Sequence, residues 1–280
     1  MSDEALPRFD RAVKSYYDNA PEETRLSTGT SRLEQARTRE LILRHVPAPP
    51  AKVLDVGGAS GTYAFWLAEL GYEVSLVDAV PRLVNVARAR NEQAARKLIA
   101  CIVGDARVLA NADASIDVVL LLGPLYHLVE RDDRLAALRE TARVLRPGGL
   151  LLAAAISRWA STLDGLSREL LRDEEFARIM ERDLRDGQHR NPTGKLDYFT
   201  TAYFHRPDDL RDEVAGSGLD VEALYGIEGP GWMFPDFDPR WNDDARREIL
   251  LQVARKLESE QNVIGCSAHL LVVGRKGRRS

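Results

Sequence analysis

From Lys52 onward, short apolar runs alternate with amphipathic stretches, the trace left in sequence by parallel strands joined through crossover helices. Runs at 53–56, 73–77, 99–103, 116–122 and 150–156, rich in Val, Ile and Leu, predict five strands. Near-continuous apolarity in the fourth and fifth predicts burial on both faces. Helices fill the gaps. The stretch 62–70 closes at Gly71, 81–97 opens on Pro81, and 132–146 stops at Pro147-Gly148 with Leu135, Leu138, Ala142 and Leu145 on one stripe. Before the stiff connector PAPPA at 47–51, the pattern predicts two further helices, around 8–18 and 31–45, outside the alternation.

After Ile156 the pattern changes. Residues 157–200 are helical in periodicity, charged and aromatic, with no evident strand partner, and predict an inserted cap. Alternation resumes with a helix at 208–217, a strand at 219–225, a loop, a helix at 243–260 and a closing strand at 267–273. No crossover helix of the usual kind joins these last strands, so an antiparallel edge is expected. The predicted organisation is an N-terminal helical lid over 1–50, an α/β core over 51–156, the cap over 157–206, and the rest of the sheet over 207–280 with a loop and helix insertion at 226–262. One α/β unit with insertions accommodates 280 residues.

The segment VLDVGGASGTYAFWLAELGYEVSLVDAV at 53–80 carries the chemistry: a strand, a glycine-rich turn, a helix, and a second strand ending in an acid. Gly57, Gly58 and Gly61 let the backbone turn sharply and approach a ligand closely, while the helix that follows directs free N–H groups at an anionic group. Asp78, at the end of the second strand, is placed to accept hydrogen bonds from both ribose hydroxyls. A dinucleotide fingerprint would need glycine at 57, 59 and 62, where this chain has Gly57, Ala59 and Thr62.

The spelling DVGGASG, with Asp55 on the strand, closely resembles the first motif of class I S-adenosylmethionine (SAM)-dependent methyltransferases. Later blocks match in order and spacing: Asp78, GDA at 104–106, DVVLLLGPLYHL at 117–128 and RVLRPGGLL at 143–151. The resemblance implies a doubly wound, seven-stranded, mostly parallel Rossmann-like sheet with an antiparallel last strand, N-terminal helices and an inserted helical cap. It makes the core a SAM site. Gly57, Gly58 and Gly61 would line the methionine and ribose portion, Asp78 would hold the ribose, Asp105 with Ala106 would contact the adenine edge, and Asp55, Ala79 and Leu122 would be further cofactor contacts. Similar enzymes fold an N-terminal helix over the cofactor, where Tyr17 and Arg25 would supply a hydroxyl and a guanidinium to the methionine carboxylate.

GPLYHL at 123–128 stands where such enzymes present the methyl group, and it lacks the NPPY-type motif of nucleic-acid and protein amide methyltransferases. A small-molecule acceptor follows, attacking through O or N by SN2 displacement, with Tyr126 at the site and His127 as general base, acceptor-orienting group or scaffold. DGQHRNP at 186–192, YFTTAYFHRP at 198–207 and GPGWMFPDF at 229–237 are dense in aromatics, His, Gly and Pro. They suggest an acceptor pocket holding His189, Tyr198, His205 and Trp232. AAISR at 154–158 and FTTAYFHRPDDL at 199–210 resemble methyltransferases of bacterial natural-product pathways, which implies a secondary metabolite as acceptor.

Composition narrows the partners. Lys and Arg total 39 against 43 Asp and Glu, a net charge of −4 with no general attraction for nucleic acid or an anionic membrane. Cys101 and Cys266 lack the spacing of a zinc or redox site, so no metal is expected. The polar, acidic start MSDEALPRFD is unlike a signal peptide, and no apolar run reaches spanning length, which together predict a cytoplasmic protein. A homodimer is compatible with all of this. Two rival readings stay open at this point: a catalytically silent SAM-binding or regulatory protein, and an NAD(P)-dependent oxidoreductase.

Overall fold

The computed structural model describes residues 11–20 and 22–278. Helices α1 (Arg11–Asn19), α2 (Glu22–Arg25) and α3 (Ser31–His45) precede the sheet; the part of the predicted first helix before residue 11 lies outside the described residues. Strands β1 (Lys52–Val56), β2 (Glu73–Asp78), β3 (Ala100–Val103), β4 (Ile116–Leu121) and β5 (Leu145–Ser157) pair in parallel in the order β3-β2-β1-β4-β5. Crossovers are made by α4 (Thr62–Glu69), α5 (Pro81–Gln93), and, after the single turn α6 (Pro124–His127), α7 (Arg131–Val144). Because the order reverses between β1 and β4, the carboxyl ends of those strands open a crevice of the kind in which doubly wound sheets hold ligands.

Successive residues of β4 face opposite layers, and both layers are apolar. Val118 and Leu120 join a cluster with Leu41 and Ile42 of α3 and Leu67 of α4, while Val119 and Leu121 join one with Leu138 of α7. The second layer also takes Leu210 and Val214 from a helix after the insertion. This double burial is why the strand reads as an unbroken apolar run.

The insertion holds the predicted helices and adds a short strand pair. Its helices α8 (Ala160–Ser167) and α9 (Glu174–Asp186) are followed by two short strands, β6 (Gln188–His189) and β7 (Ala202–His205). β5 runs past the end of β4, leaving backbone groups at Ile156 and Ser157 without a partner on that side, and β7 pairs there in parallel, Ile156 with Phe204 and Ser157 with His205. Strands of two and four residues are too brief to show a period, so the sequence did not betray them. Pro147 and Gly148 also differ from expectation: they lie within β5, where the register to β4 shifts between Ile116 and Val118.

After α10 (Pro207–Gly216), strand β8 (Leu219–Gly226) forms an edge, and β9 (His269–Lys276) runs antiparallel between β8 and β5. Among the described residues the sheet thus has nine strands, the seven of the doubly wound core and the two of the insertion. Between β8 and β9 lie α11 (Phe237–Asn242) and α12 (Asp244–Leu257). The fully buried Arg37 of α3 bonds the Ile227 carbonyl and pairs with Glu40 and Glu258, which fixes the N-terminal helices to this insertion. Among the described residues no helix is long and apolar enough to cross a membrane.

Candidate active site

The turn after β1 is built for close approach. Gly57 has φ 73°, and a Cβ there would sit 2.5 Å from Pro124; at Gly58 a Cβ would meet Asp55 Oδ2 at 2.7 Å. The Asp78 carboxylate accepts from the Ala59 and Val80 backbone N–H groups, both at 2.8 Å, and so ties the end of β2 to the turn. Above this floor opens a cleft of about 1170 Å³, counting its solvent-open part. Of the expected cofactor contacts, Tyr17, Arg25, Asp55, Gly57, Gly58, Asp78, Ala79, Asp105, Ala106 and Leu122 line it. Gly61 does not; with φ 90° it precedes the first turn of α4, and its expected ligand contact becomes a role in shaping the loop.

Burial dominates the electrostatics of this floor. It pushes the Asp55 carboxyl up to about 7, helped by the nearby Asp78 charge, and Asp55 Oδ2 is buried without a hydrogen-bond partner. Asp78 is likewise raised by burial, to about 6, against the two backbone N–H groups that favour its charged form. Asp105 is held differently, accepting from the Arg107 backbone N–H at 2.8 Å and from its guanidinium at 3.0 and 2.7 Å. These donors and acceptors fit an adenosyl group with a positive centre. The orphaned Asp55 oxygen and the unused lone pairs of Asp78 call for donors or positive charge, and the glycine floor excludes side chains from the space a ligand needs.

At the carboxyl end of β4, the single turn α6 puts Tyr126 and His127 on the cleft. His127 Nδ1 faces the Thr201 carbonyl at 3.3 Å and therefore carries the hydrogen, which leaves Nε2 to accept from the Tyr17 hydroxyl at 2.7 Å. Burial pushes the phenols of Tyr17 and Tyr126 upward, so both stay protonated. The Arg25 guanidinium, expected to meet the methionine carboxylate, is instead bound to Glu22 at 3.0 Å and to Glu34 at 2.8 and 3.3 Å.

Four expected acceptor residues do not line the cleft, and each is engaged inside the structure instead. His189 turns its ring nitrogens to Asp183 at 2.8 Å and to the Tyr198 carbonyl at 2.7 Å, and stacks on Phe204. Tyr198 donates its hydroxyl to Asp173 at 2.7 Å. His205, fully buried, faces Glu213 at 3.2 Å. Trp232 donates Nε1–H to the Cys266 carbonyl at 2.9 Å.

The cleft also gains residues that the sequence reading missed, chiefly Glu22 and Glu34 from the N-terminal helices and His269 from β9. A polar residue at the head of the apolar closing strand, as in SAHLLVV at 267–273, was the available signal for His269.

A family model described as a methyltransferase domain matches residues 54–153, the stretch holding the turn, Asp78, Asp105 and α6. The ubiquinone biosynthesis O-methyltransferase of Xanthomonas campestris pv. campestris is 29% identical over 228 residues, 81% of this chain and 84% of the relative. The protein of that name from Xylella fastidiosa is 28% identical over 193 residues, 69% and 70% respectively. Among solved structures, a SAM-dependent methyltransferase from Methanosarcina mazei superposes with a TM-score of 0.58 at 16% identity, over 85% of this chain and 98% of the other. Another from Mesorhizobium loti gives 0.56 at 17%, over 87% and 100%. The structural likeness carries the fold.

Proposed function

We propose that this chain, which carries a methyltransferase domain over residues 54–153, is a class I S-adenosylmethionine-dependent methyltransferase that methylates a hydroxyl oxygen of a small-molecule acceptor, with His127 receiving the proton. The observation that carries this reading is the Tyr17–His127 hydrogen bond at 2.7 Å, in the same cleft as Asp78 and the β1 turn. When bound, SAM supplies a methyl carbon already activated by its cationic sulfur. Asp78 and the turn at Gly57 and Gly58 would hold its ribose and methionine portions, and the part-protonated Asp55 would ionise beside a positive ligand.

The chain's own residues then do two things. They exclude water and align the acceptor, a contribution of up to about 7–11 kcal/mol when approach is well aligned. They also manage one proton. The acceptor hydroxyl takes the place of the Tyr17 hydroxyl on Nε2, and its proton passes to that nitrogen while Nδ1–H stays on the Thr201 carbonyl. A positioned base of this kind contributes about 10²- to 10⁴-fold. Support for oxygen as the methylated atom comes from the O-methyltransferase relatives.

Titration calorimetry with SAM, S-adenosylhomocysteine (SAH) and NAD, together with mass-spectrometric detection of methylated phenols and alcohols, tests this reading. His127→Ala should lower turnover about 10²- to 10⁴-fold and leave SAH affinity within about twofold. Absence of SAM and SAH binding would sink the assignment, and equal loss of turnover and cofactor affinity would remove His127 from proton transfer.

A further inference from the structure

Two histidines line the cleft, and the protein braces them differently. His127 rests Nδ1 on a neutral carbonyl, whereas His269 places Nδ1 against the buried Glu228 carboxylate at 2.5 Å. Glu228 is itself locked: it also accepts from Ser267 Oγ at 2.6 Å and from the His269 backbone N–H at 3.1 Å, while Ser267 Oγ accepts from the Glu228 backbone N–H at 2.8 Å. The imidazole thus has one orientation. Its Nε2 makes no hydrogen bond among the described residues, and the ring is about one-fifth exposed. The same cleft wall carries the apolar side chains of Ala154 on β5 and of Ile227, whose N–H donates to the His269 carbonyl at 3.0 Å.

We propose that His269 is a second acceptor-binding residue, its Nε2–H donating to a carbonyl or carboxylate oxygen that the acceptor carries in addition to the methylated hydroxyl. The charged groups facing the ring are Glu228, Glu34 of α3 at 3.9 Å, and Arg25 of α2, which binds Glu34 through two contacts. Burial alone would favour the neutral ring, yet the two carboxylates outweigh it and hold the imidazole protonated up to about pH 9. A doubly protonated imidazole has only N–H groups to offer, so it recognises an oxygen lone pair and rejects an ammonium group. Since Glu228 and Glu34 balance its charge, it acts as a directional donor rather than as a source of general positive potential.

The inference rests on the reading of the cleft as a SAM and hydroxyl-acceptor site, and its test keeps the two apart. Binding to the enzyme–SAH complex is measured for 4-hydroxybenzoate, 4-hydroxybenzamide, 4-methylphenol and 4-hydroxybenzylamine. The two carbonyl-bearing probes should bind about tenfold more tightly than 4-methylphenol, and the amine no better than it. His269→Gln keeps an amide N–H for Glu228 but removes the imidazolium charge and the N–H directed from the Nε2 position; it should erase the preference while SAH affinity holds within about twofold.

Glu228→Gln provides a second variant. With less carboxylate bracing, the preference should disappear at a lower pH than in the wild-type enzyme, where it lasts to about pH 9. Equal affinities for the probes, a preference for the amine, no binding of the carbonyl-bearing probes, or a preference that survives His269→Gln would overturn the proposal. Loss of SAH binding by the wild-type enzyme would instead strike the underlying reading.

Discussion

His127 and His205 stand in similar local sequences, Tyr126-His127 and Tyr203-Phe204-His205, yet one lines the cleft and the other is sealed beneath the insertion. The difference is set by what each short element must satisfy. The turn α6 closes the end of β4, so its side chains face the crevice, whereas β7 completes the free edge of β5 and buries its own between sheet and helices. Aromatic and histidine density therefore marks both a binding wall and a polar network that fastens an insertion; the neighbouring elements decide which. The insertion still serves the site in one respect, since the Thr201 carbonyl fixes the tautomer of His127.

The sharpest way to break this contrast is at Glu213, which holds Arg134 and His205 beneath the insertion. Burial alone would raise its carboxyl, but hydrogen bonds from His205 and Arg134 bring it down to about 2. A carboxyl depressed in the folded state stabilises fully above its unfolded value near 4.5, and that contribution fades as pH falls toward 2. Glu213→Gln leaves Arg134 buried without its counter-charge and should cost about 3–5 kcal/mol in urea unfolding at pH 7, with much of the pH 2–4.5 dependence gone. SAH affinity of the folded fraction should not move. A large change in that affinity would merge the two regions.

On the cleft side the sign of the pH effect reverses. Asp78 is raised to about 6, so the unliganded protein holds a proton there more tightly than the unfolded chain does, and in the proposed role its ionised form would accept from the ribose hydroxyls. SAH affinity should fall as pH drops through about 6. Asp78→Asn should weaken it about 10²-fold at pH 7.5 and flatten that dependence, with modest change in stability. An unaltered SAH titration would take Asp78 out of the cofactor site.

A smaller effect tests the insertion again. His189→Ala removes the partner of Asp183, which still keeps the Ser161 hydroxyl at 2.6 Å, and should cost about 2 kcal/mol with turnover per folded molecule unchanged. A turnover loss beyond about tenfold at full folding would return His189 to the acceptor site.

These cases show what could be read from the chain. The strands of the core were legible because two apolar layers impose an unbroken apolar pattern, and the glycine turn because only glycine fits beneath Pro124 at a φ of 73°. Asp78 was legible from its place at a strand end. Glu34 and His269 were not, since α3 and β9 reach the cleft only through the closed sheet and the packing of α3 on it, and neither the spacing between them nor their local periodicity records that meeting. For the same reason the fate of His189, Tyr198 and His205 was hidden: their partners Asp183, Asp173 and Glu213 are ordinary charges in helical sequence until β6 and β7 fold back.

Trp232 lies between the two regions and gives the finest test. It was expected to touch the acceptor, but its indole N–H is bound to the Cys266 carbonyl, one residue before the Ser267 that braces Glu228 and hence His269. Trp232→Phe removes that bond and some volume, and should lower stability by about 1–2 kcal/mol. Should its role be packing alone, affinity for 4-hydroxybenzoate would follow the folded fraction and SAH affinity would be unchanged. If the bond also keeps the Ser267–Glu228–His269 chain in register, 4-hydroxybenzoate would weaken while 4-methylphenol did not, because only the former uses the His269 donor. A weakening of both probes to the same degree, with SAH binding intact, would instead place the indole itself against the acceptor ring and restore to the cleft a residue that its hydrogen bond assigns to the frame.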